Sequence, residues 1–289
     1  MKKYRVAIIG TGNIGTDLLV KTTRSQSLEC VAFVGRHYTS PGMSKAQSLG
    51  IVCSDQSIRY IEDHASEIDL VFDATSAKDH IAHAPVLQKL KKRVVDLTPA
   101  RVGPMCVPAV NLDDCLSAWN ANMVTCGGQA SIPVAYAIGR TQHEVEYIEV
   151  VSSIASRSAG PATRLNIDEY ITTTENGLKK FSGVKAAKAI LILNPAIPPI
   201  DMQTTIFAKV RDADVARLNE ELEPIIAKIK GYVPGYNLIV GPIVDNGRIV
   251  VMIRVRGLGD YLPAYAGNLD IINCAAIAMA EGYAKAETH

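Results

Sequence analysis

The stretch YRVAIIGTGNIGTDLLVKTTR, residues 4–24, decides the fold of this chain. Its apolar run at residues 6–9 is typical of a buried strand, and Ile14, Leu18 and Leu19 recur at the spacing of one helix face. Between them, GTGNIG fits the pattern GxGxxG and stands directly between a strand and a helix, the context in which this pattern indicates dinucleotide binding. The sequence therefore predicts a nucleotide-binding βα unit at its start.

The glycines of this turn have separate expected roles. Gly10 permits the tight turn, Gly12 lets the backbone approach a pyrophosphate, and Gly15 allows the helix to pack closely on the strand. Free N–H groups at the helix start hold the phosphate anions. A glycine turn of the same fold that has lost its ligand is the alternative. We predict that the whole turn binds the cofactor, namely Gly10, Thr11, Gly12, Asn13, Ile14 and Gly15.

Strands and helices continue to alternate through the first half of the chain. Apolar runs at residues 28–35, 68–75 and 93–96 predict further strands, with helices between them. Such alternation predicts an α/β fold with a doubly wound parallel sheet of the Rossmann type.

The pattern changes after about residue 127, where strand-like runs outnumber helices and an α+β domain is expected. One helix is predicted over residues 212–231, with Asp212 as its N-cap, a kink at Pro224 and Gly231 as its stop. A final, almost wholly apolar helix is expected to return to the first sheet. The expected domains are residues 1–127 plus 268–289 for dinucleotide binding, and 128–267 for an inserted catalytic and dimerisation domain.

Composition and charge argue against several kinds of partner. Of 289 residues, 48% are hydrophobic and 20% charged, with a mean hydropathy of +0.12, which predicts extensive burial and a subunit interface. A net charge of +1 without a basic block argues against nucleic acid. Apolar runs fall short of the roughly 20 residues that span a membrane, and no signal peptide is evident, so we expect a cytoplasmic protein.

The cysteines and histidines suggest no metal site. Six cysteines lie scattered without CxxC pairs, which is typical of reduced thiols in a cytosol. His80 and His83 stand three positions apart with no carboxylate or thiol set of metal-ligand spacing around them. We predict that both histidines face solvent on a helix.

Cys126 is the candidate nucleophile. It follows a strand-like segment and precedes GGQASIP, residues 127–133, a glycine turn that leads into a helix with an early proline. A cysteine at a helix start has a lowered pKa, and the N–H groups around it can hold an oxyanion. We therefore expect an ionised, catalytic Cys126, whereas the other five cysteines are expected to be small buried hydrophobes. A packed, inert Cys126 is the alternative.

The cofactor type stays open on the residues alone. NAD enzymes usually carry Asp or Glu at the end of the second strand, whereas this chain has Val34, Gly35 and Arg36 there. Arg36 could contact a 2′-phosphate, lie flat against the adenine or be an ordinary solvated arginine. NADP is therefore as compatible with this position as NAD.

Seven stretches together carry a resemblance to a known family. With them the chain resembles, over nearly its whole length, the acylating acetaldehyde dehydrogenases of aromatic meta-cleavage pathways. The stretches are GTGNIG at 10–15, VFDATSA at 71–77, DLTPARVGPMCVPAVN at 96–111, VTCGGQASIP at 124–133, SIASRSAGPATRLNIDEY at 153–170, NPAIPP at 194–199 and DYLPAYAGNLDI at 260–271.

The resemblance implies an activity, cofactors and partners. It implies oxidation of acetaldehyde, or of propionaldehyde, with NAD as cofactor and coenzyme A as co-substrate, through a thioester on Cys126. It also implies a homodimer and a 4-hydroxy-2-oxoacid aldolase as partner. The cofactor residues that it adds to the turn and Arg36 are Thr75, Ser76, Ser158, Ala159, Gly160, Pro161 and Asn268.

Two departures from the family pattern stand out. Thr204 occupies the position of an acidic residue considered the general base in the family, and a threonine cannot act as that base at neutral pH. Asp201 is close but out of register, so either it substitutes, or another group or water takes the proton, or the helix dipole alone keeps Cys126 ionised. The segment at 232–257 is also more compact than in the family, which affects the expectation of an aldolase partner.

Two other functions stay open beside the acylating dehydrogenase. A phosphorylating semialdehyde dehydrogenase shares the cysteine and the nucleotide fold, and Arg101, Arg157 and Arg164 are candidates for binding a substrate carboxylate. A non-catalytic dinucleotide-binding subunit is the alternative from another class.

Overall fold

The computed structural model describes residues 3–287, apart from the side chains of Pro161 and Ala162. The chain divides into two compact units. The first comprises Met1–Met123, Asp260–Leu262 and Asn273–His289, and the second comprises Val124–Gly259 and Pro263–Ile272. Between residues 3 and 287, no helix combines the length and the apolar character needed to cross a membrane.

The first unit is built on a parallel six-stranded sheet in the order β3-β2-β1-β4-β5-β6. Its strands are β1 Tyr4–Ile9, β2 Leu28–Val34, β3 Cys53–Ser54, β4 Leu70–Asp73, β5 Arg93–Asp96 and β6 Asn120–Asn122. Its helices are α1 Asn13–Arg24, α2 Pro41–Ser48, α3 Ile58–Asp63, α4 Ala77–Lys89 and α5 Pro108–Cys115. The strand order reverses between β1 and β4, which is where such sheets bind ligands. The predicted Rossmann-type sheet is confirmed.

The C-terminal helix α10, Gly267–Glu287, completes the first unit with its second half. The Asn273 side chain donates to Asp17 Oδ2 on α1 at 2.8 Å. Near the other end, Tyr283 Oη donates to the carbonyl of Ala118 at 2.7 Å. This part of α10 is mostly buried as far as Ala284, as its apolar sequence predicts, and its last residues are exposed.

The second unit is built on a mixed five-stranded sheet in the order β10-β11-β9-β7-β8. Strands β7 and β8 are parallel, and the other pairs are antiparallel. Its strands are β7 Tyr147–Ala155, β8 Ala186–Asn194, β9 Met202–Lys209, β10 Tyr236–Asp245 and β11 Arg248–Val255. Its helices are α6 Cys126–Thr141, α7 Pro161–Leu165, α8 Ile167–Ser182 and α9 Val215–Tyr232. The α+β prediction for this region is confirmed.

The two faces of this sheet differ in exposure. Helices α6, α8 and α9 contact its strands, and alternate residues such as Ile148, Ile206 and Val251 are fully buried on the face toward them. The residues between them are half-buried or exposed although many are apolar, and Ile192 on β8 is 44% exposed. We call this the outer face; it includes Val151, Ile190, Ile192, Phe207 and Val250.

Helix α9 differs from its prediction at the start. The predicted N-cap Asp212 is wrong, because the helix begins at Val215 and Asp214 Oδ1 accepts from the N–H of Arg217 at 2.9 Å. Both aspartates suit a cap, and only the observed hydrogen bond distinguishes them. The helix then continues through Pro224 to Tyr232.

Candidate active site

The glycine turn lies at the carboxyl end of β1. Gly10 has φ of +113° and its N–H donates to the carbonyl of Val34 on β2 at 2.8 Å. A Cβ on Gly10 would lie 2.5 Å from the carbonyl oxygen of Ala74, and a Cβ on Gly15 would lie 1.8 Å from that of Gly10. Both positions therefore require glycine for the fold itself.

Gly12 requires a different explanation. It is the N-cap of α1 with ordinary extended backbone, and a Cβ placed on it meets nothing within 4 Å. No side chain caps this helix start, which leaves its first N–H groups available to an anion. The open space beside uncapped N–H groups fits the pyrophosphate of a dinucleotide.

The residues predicted around the turn lie at the ends of the neighbouring strands. Thr75 follows β4, and its N–H donates to Asp73 Oδ1 at 3.1 Å. Ser76 is the N-cap of α4 and accepts from the N–H of Asp79 at 3.2 Å. The Arg36 side chain is 73% exposed and lies 3.9 Å from the Asp79 carboxylate. The structure thus brings together, within the first unit, Gly10, Thr11, Gly12, Asn13, Ile14, Gly15, Arg36, Thr75 and Ser76.

The prediction that His80 and His83 face solvent is wrong. Both side chains are buried, and the Nδ1 atom of each lies 2.9 Å from Asp73 Oδ2. On the other side of the His80 ring, Nε2 lies 3.4 Å from Asp96 Oδ2 and 2.9 Å from the Asn120 amide. No local pattern indicates this cluster, because the carboxylates are on β4 and β5 while the histidines are on helix α4.

The cluster shifts the pKa values of its members in different directions. Burial opposes the ionisation of Asp73, but hydrogen bonds from His80 and His83 outweigh it and hold the pKa of this carboxyl well below its usual range. Burial likewise lowers the pKa of His80, yet the Asp73 and Asp96 carboxylates leave it raised overall. Burial raises the pKa of Asp96 to about 6. Asp73 is therefore the ionised carboxylate that both histidines contact.

Cys126 is the first residue of α6, in the second unit. Its N-cap is Thr125, whose Oγ1 accepts from the N–H of Gly128 at 2.8 Å and lies 2.8 Å from Thr174 Oγ1. The N–H groups of Cys126 and Gly127 both favour the ionised form of the Cys126 sulfur. The helix start therefore offers backbone donors at the reacting atom.

The expectation of an ionised resting Cys126 is wrong. Burial raises the pKa of this thiol to about 11, although the Gly127 N–H, the Tyr170 hydroxyl and its own N–H act in the opposite direction. The free-energy cost of burying the charged sulfur exceeds the stabilisation that the donors at the helix start provide. Burial therefore favours the protonated form of the Cys126 thiol over the thiolate in the resting protein.

Hydroxyl groups surround the start of α6. A Cβ on Gly127 would lie 2.0 Å from Tyr170 Oη on α8 and 3.2 Å from Ser152 Oγ on β7. Ser152 Oγ in turn lies 3.0 Å from Thr204 Oγ1 on β9, and Thr204 is fully buried. The Asp201 carboxylate forms an ion pair with Arg256 at 3.7 Å. No carboxylate is among the described groups that shift the pKa of Cys126.

Tyr170 and Ser152 were not among the predicted catalytic or cofactor-binding residues. A signal for the helix that carries Tyr170 was present, since Tyr170, Thr174 and Leu178 recur at every fourth position before Gly183. Gly183 ends that helix in a left-handed conformation with φ of +75°. The meeting of Tyr170 with Gly127 depends on packing between α6 and α8, which no local pattern reveals.

The remaining predicted cofactor residues also lie in the second unit. Ser158 is buried and donates to the carbonyl of Ala155 at 2.8 Å, and Ala159 is buried beside it. Gly160 is the N-cap of α7, while the side chain of Pro161 lies outside the described residues. Asn268, near the start of α10, is 1% exposed, and its Oδ1 has no hydrogen-bond partner among the described residues. An unsatisfied buried acceptor of this kind fits an N–H group of a ligand.

The chain matches two family models and several curated relatives. Residues 5–118 match the model described as semialdehyde dehydrogenase, NAD binding domain, and residues 126–263 match prokaryotic acetaldehyde dehydrogenase, dimerisation. The acetaldehyde dehydrogenase of Spirochaeta aurantia is 67% identical over 285 residues, covering 99% of this chain and 96% of the relative. That of Pectobacterium atrosepticum is 58% identical over 282 residues, covering 97% and 95%.

A solved structure is similar in fold. It is the crystal structure of aspartate semialdehyde dehydrogenase II from Vibrio cholerae complexed with ASA, which superposes with a TM-score of 0.64 at 15% identity. The match covers 98% of this chain and 99% of that chain. At this identity the similarity concerns the architecture alone.

Proposed function

The chain belongs to the acetaldehyde dehydrogenase family, and from this premise we propose how its residues carry out the reaction. It is an NAD-dependent oxidoreductase that oxidises acetaldehyde. The observation that carries the rest is the position of Cys126 at the start of α6, where the Gly127 N–H stabilises the ionised sulfur.

Cys126 is the nucleophile in this proposal. Its sulfur bonds to the aldehyde carbon, the C=O double bond opens, and the thiol proton passes to the oxygen to give a thiohemiacetal. Donors at the start of α6 stabilise the negative charge that develops on this oxygen. When bound, NAD supplies the acceptor for the hydride that the thiohemiacetal carbon loses, and the hydroxyl proton leaves to water as the C=O double bond re-forms. A thioester remains on Cys126, and we assign its release to the thiol of coenzyme A.

Each unit contributes its own candidate dinucleotide-binding residues in this proposal. The turn from Gly10 to Gly15, with Thr75 and Ser76, binds the pyrophosphate, which the open space at Gly12 and the uncapped start of α1 support. Arg36 contacts the adenosine end, and the exposed guanidinium leaves use of NADP open. The nicotinamide end is assigned to Ser158, Ala159, Gly160, Pro161 and Asn268, and the orphaned Oδ1 of Asn268 supports this.

The chain is a homodimer that pairs through the second unit in this proposal. The family model that covers residues 126–263 is described as a dimerisation domain, and the outer face of the sheet presents apolar side chains that a partner copy would bury. By resemblance, a 4-hydroxy-2-oxoacid aldolase supplies the aldehyde, and the pair works in the cytoplasm in the breakdown of aromatic compounds.

An initial-rate assay tests this function. NADH formation from acetaldehyde is measured with coenzyme A against phosphate, and with NAD against NADP. Turnover with coenzyme A that disappears in Cys126→Ala and in Cys126→Ser supports the proposal. Turnover with phosphate alone would assign a phosphorylating semialdehyde dehydrogenase, and coenzyme A-dependent activity in Cys126→Ala would refute the role of the cysteine.

A non-catalytic dinucleotide-binding subunit predicts a different result. Such a protein binds NAD but forms no NADH with any aldehyde and acceptor. NAD binding is then measured by intrinsic fluorescence. A binding subunit binds NAD without turnover, whereas an inactive preparation does neither.

A further inference from the structure

The hydroxyl of Tyr170 is a buried polar group whose electrostatic neighbours are Cys126, Ser152 and Gly127. Tyr170 is 8% exposed, and its Oη meets no described donor or acceptor with normal hydrogen-bond geometry. Leaving a buried hydroxyl unsatisfied costs stability, so such a group calls for an explanation in function or strain.

This hydroxyl is directed at the start of α6. The 2.0 Å between Tyr170 Oη and an imagined Cβ on Gly127 means that only glycine at this position admits the hydroxyl. The hydroxyl is also close enough to Cys126 to lower the pKa of its thiol. The Tyr170 hydroxyl therefore lies beside the first turn of α6, which carries the nucleophile.

The other groups near this sulfur cannot assist it by charge. Ser152 and Thr204 hydrogen-bond to each other, and no charged side chain is among the described groups that act on Cys126. Neither hydroxyl can take the thiol proton as a base at neutral pH. Negative charge on the sulfur therefore needs stabilisation by a neutral donor.

We infer that Tyr170 is a catalytic residue, whose hydroxyl donates a hydrogen bond to the Cys126 sulfur while the sulfur attacks the aldehyde. The inference rests on the proposed role of Cys126. The S–C bond forms as the C=O double bond opens, and the thiol proton goes to the aldehyde oxygen, so Tyr170 keeps its own proton throughout. Burial raises the pKa of Tyr170 well above its usual range, so the hydroxyl stays a donor at every pH at which the enzyme works.

Two tyrosine variants provide a matched test. Tyr170→Phe removes a hydroxyl that makes no hydrogen bond of normal geometry among the described residues. Tyr236→Phe removes a buried hydroxyl of the same unit that donates to the carbonyl of Ala130 on α6 at 2.9 Å. Iodoacetamide is used on the full-length protein from about pH 7 to about pH 10, and alkylation of the peptide containing Cys126 is followed by mass spectrometry. The pH dependence of kcat and the KM for NAD are measured alongside.

For Tyr170→Phe we expect alkylation of Cys126 to slow by about 10- to 100-fold at each pH, because the thiolate has lost a donor. The kcat is expected to fall by a similar factor while the KM for NAD stays unchanged. Tyr236→Phe should alkylate at the wild-type rate. Since the Tyr170 hydroxyl makes no described hydrogen bond of normal geometry, whereas that of Tyr236 does, the thermal stability of Tyr170→Phe should match or exceed that of Tyr236→Phe, which verifies folding.

The results separate this inference from the proposed function. Wild-type alkylation in Tyr170→Phe, or equal slowing in Tyr236→Phe, overturns the inference and leaves the function of Cys126 intact. Retention of coenzyme A-dependent turnover in Cys126→Ala removes the function itself. Slowed alkylation with unchanged kcat also overturns the catalytic role of Tyr170, because the hydroxyl would then matter only in the resting enzyme.

Discussion

Replacing Gly12 by alanine separates cofactor binding from folding in the glycine turn. The structure leaves nothing within 4 Å of a Cβ at this position, and the backbone φ of −79° suits alanine. The free energy of unfolding should therefore fall by only about 1 kcal/mol, because alanine is a poorer N-cap than glycine. For a unit of this size, the melting temperature should fall by about 2 to 4 °C.

The loss of NAD affinity should be larger. The added methyl group enters the space beside the uncapped start of α1, where a pyrophosphate would approach the backbone. We expect the Kd for NAD, measured by titration calorimetry, to rise at least about tenfold, a loss of about 1.4 kcal/mol. Gly12→Ala that binds NAD as the wild type does would refute the assignment of this turn.

Gly15→Ala is the matched control. Its Cβ would lie 1.8 Å from the Gly10 carbonyl oxygen, a backbone atom that cannot move without distorting the turn. Overpacking of this severity costs roughly 3 kcal/mol or more, so the melting temperature should fall well below that of Gly12→Ala. Equal stability of the two variants would show that the contact distances in the turn are wrong.

Further predictions concern the buried cluster and the outer face. Asp73→Asn removes the charge that His80 and His83 contact, and losing one partner of a buried charge pair should cost roughly 3 to 5 kcal/mol in urea unfolding. A cost below about 1 kcal/mol contradicts the pairing. In the wild type, the pKa of Asp96 is raised from 3.8 to about 6 in the folded state, so its contribution to stability falls as the pH rises between these values and does not change further above them. The raised pKa of His80 means that its contribution is lost as the pH rises through the folded-state value. The free energy of unfolding should therefore decrease from about pH 5 to about pH 8, and an increase over this range would contradict the assigned shifts. On the outer face, Ile192→Asp should convert dimers to monomers in size-exclusion chromatography, whereas the same change at exposed Val52 in the other unit should not.

Features with a local signature could be predicted from the sequence. The turn at residues 10–15 follows an apolar run and precedes a helical repeat, and the structure has β1, a glycine turn and α1 there. The helix that begins at Cys126 was likewise indicated by the glycines and proline after it. In both cases, residues within one short segment determine the backbone.

Features that depend on distant residues could not be predicted. His80 and His83 look like surface residues of a helix until β4 places Asp73 beneath them. The pKa of Cys126 was misjudged because a helix start is visible in the sequence, whereas the burial that dominates it comes from packing within the second unit. The same reason hid Tyr170, which reaches Gly127 only through the packing of α8 on α6.

The split of α10 between the two units has a consequence for how the protein is made. The hydrogen bonds from Asn273 to Asp17 and from Tyr283 to Ala118 close a unit whose strands all precede residue 123. During translation, the nucleotide unit must therefore wait, with an apolar surface uncovered, until the ribosome has finished the 149 residues between Met123 and Asn273, the whole second unit among them. A stop codon just before residue 273 would consequently damage the end of the molecule that was synthesised first.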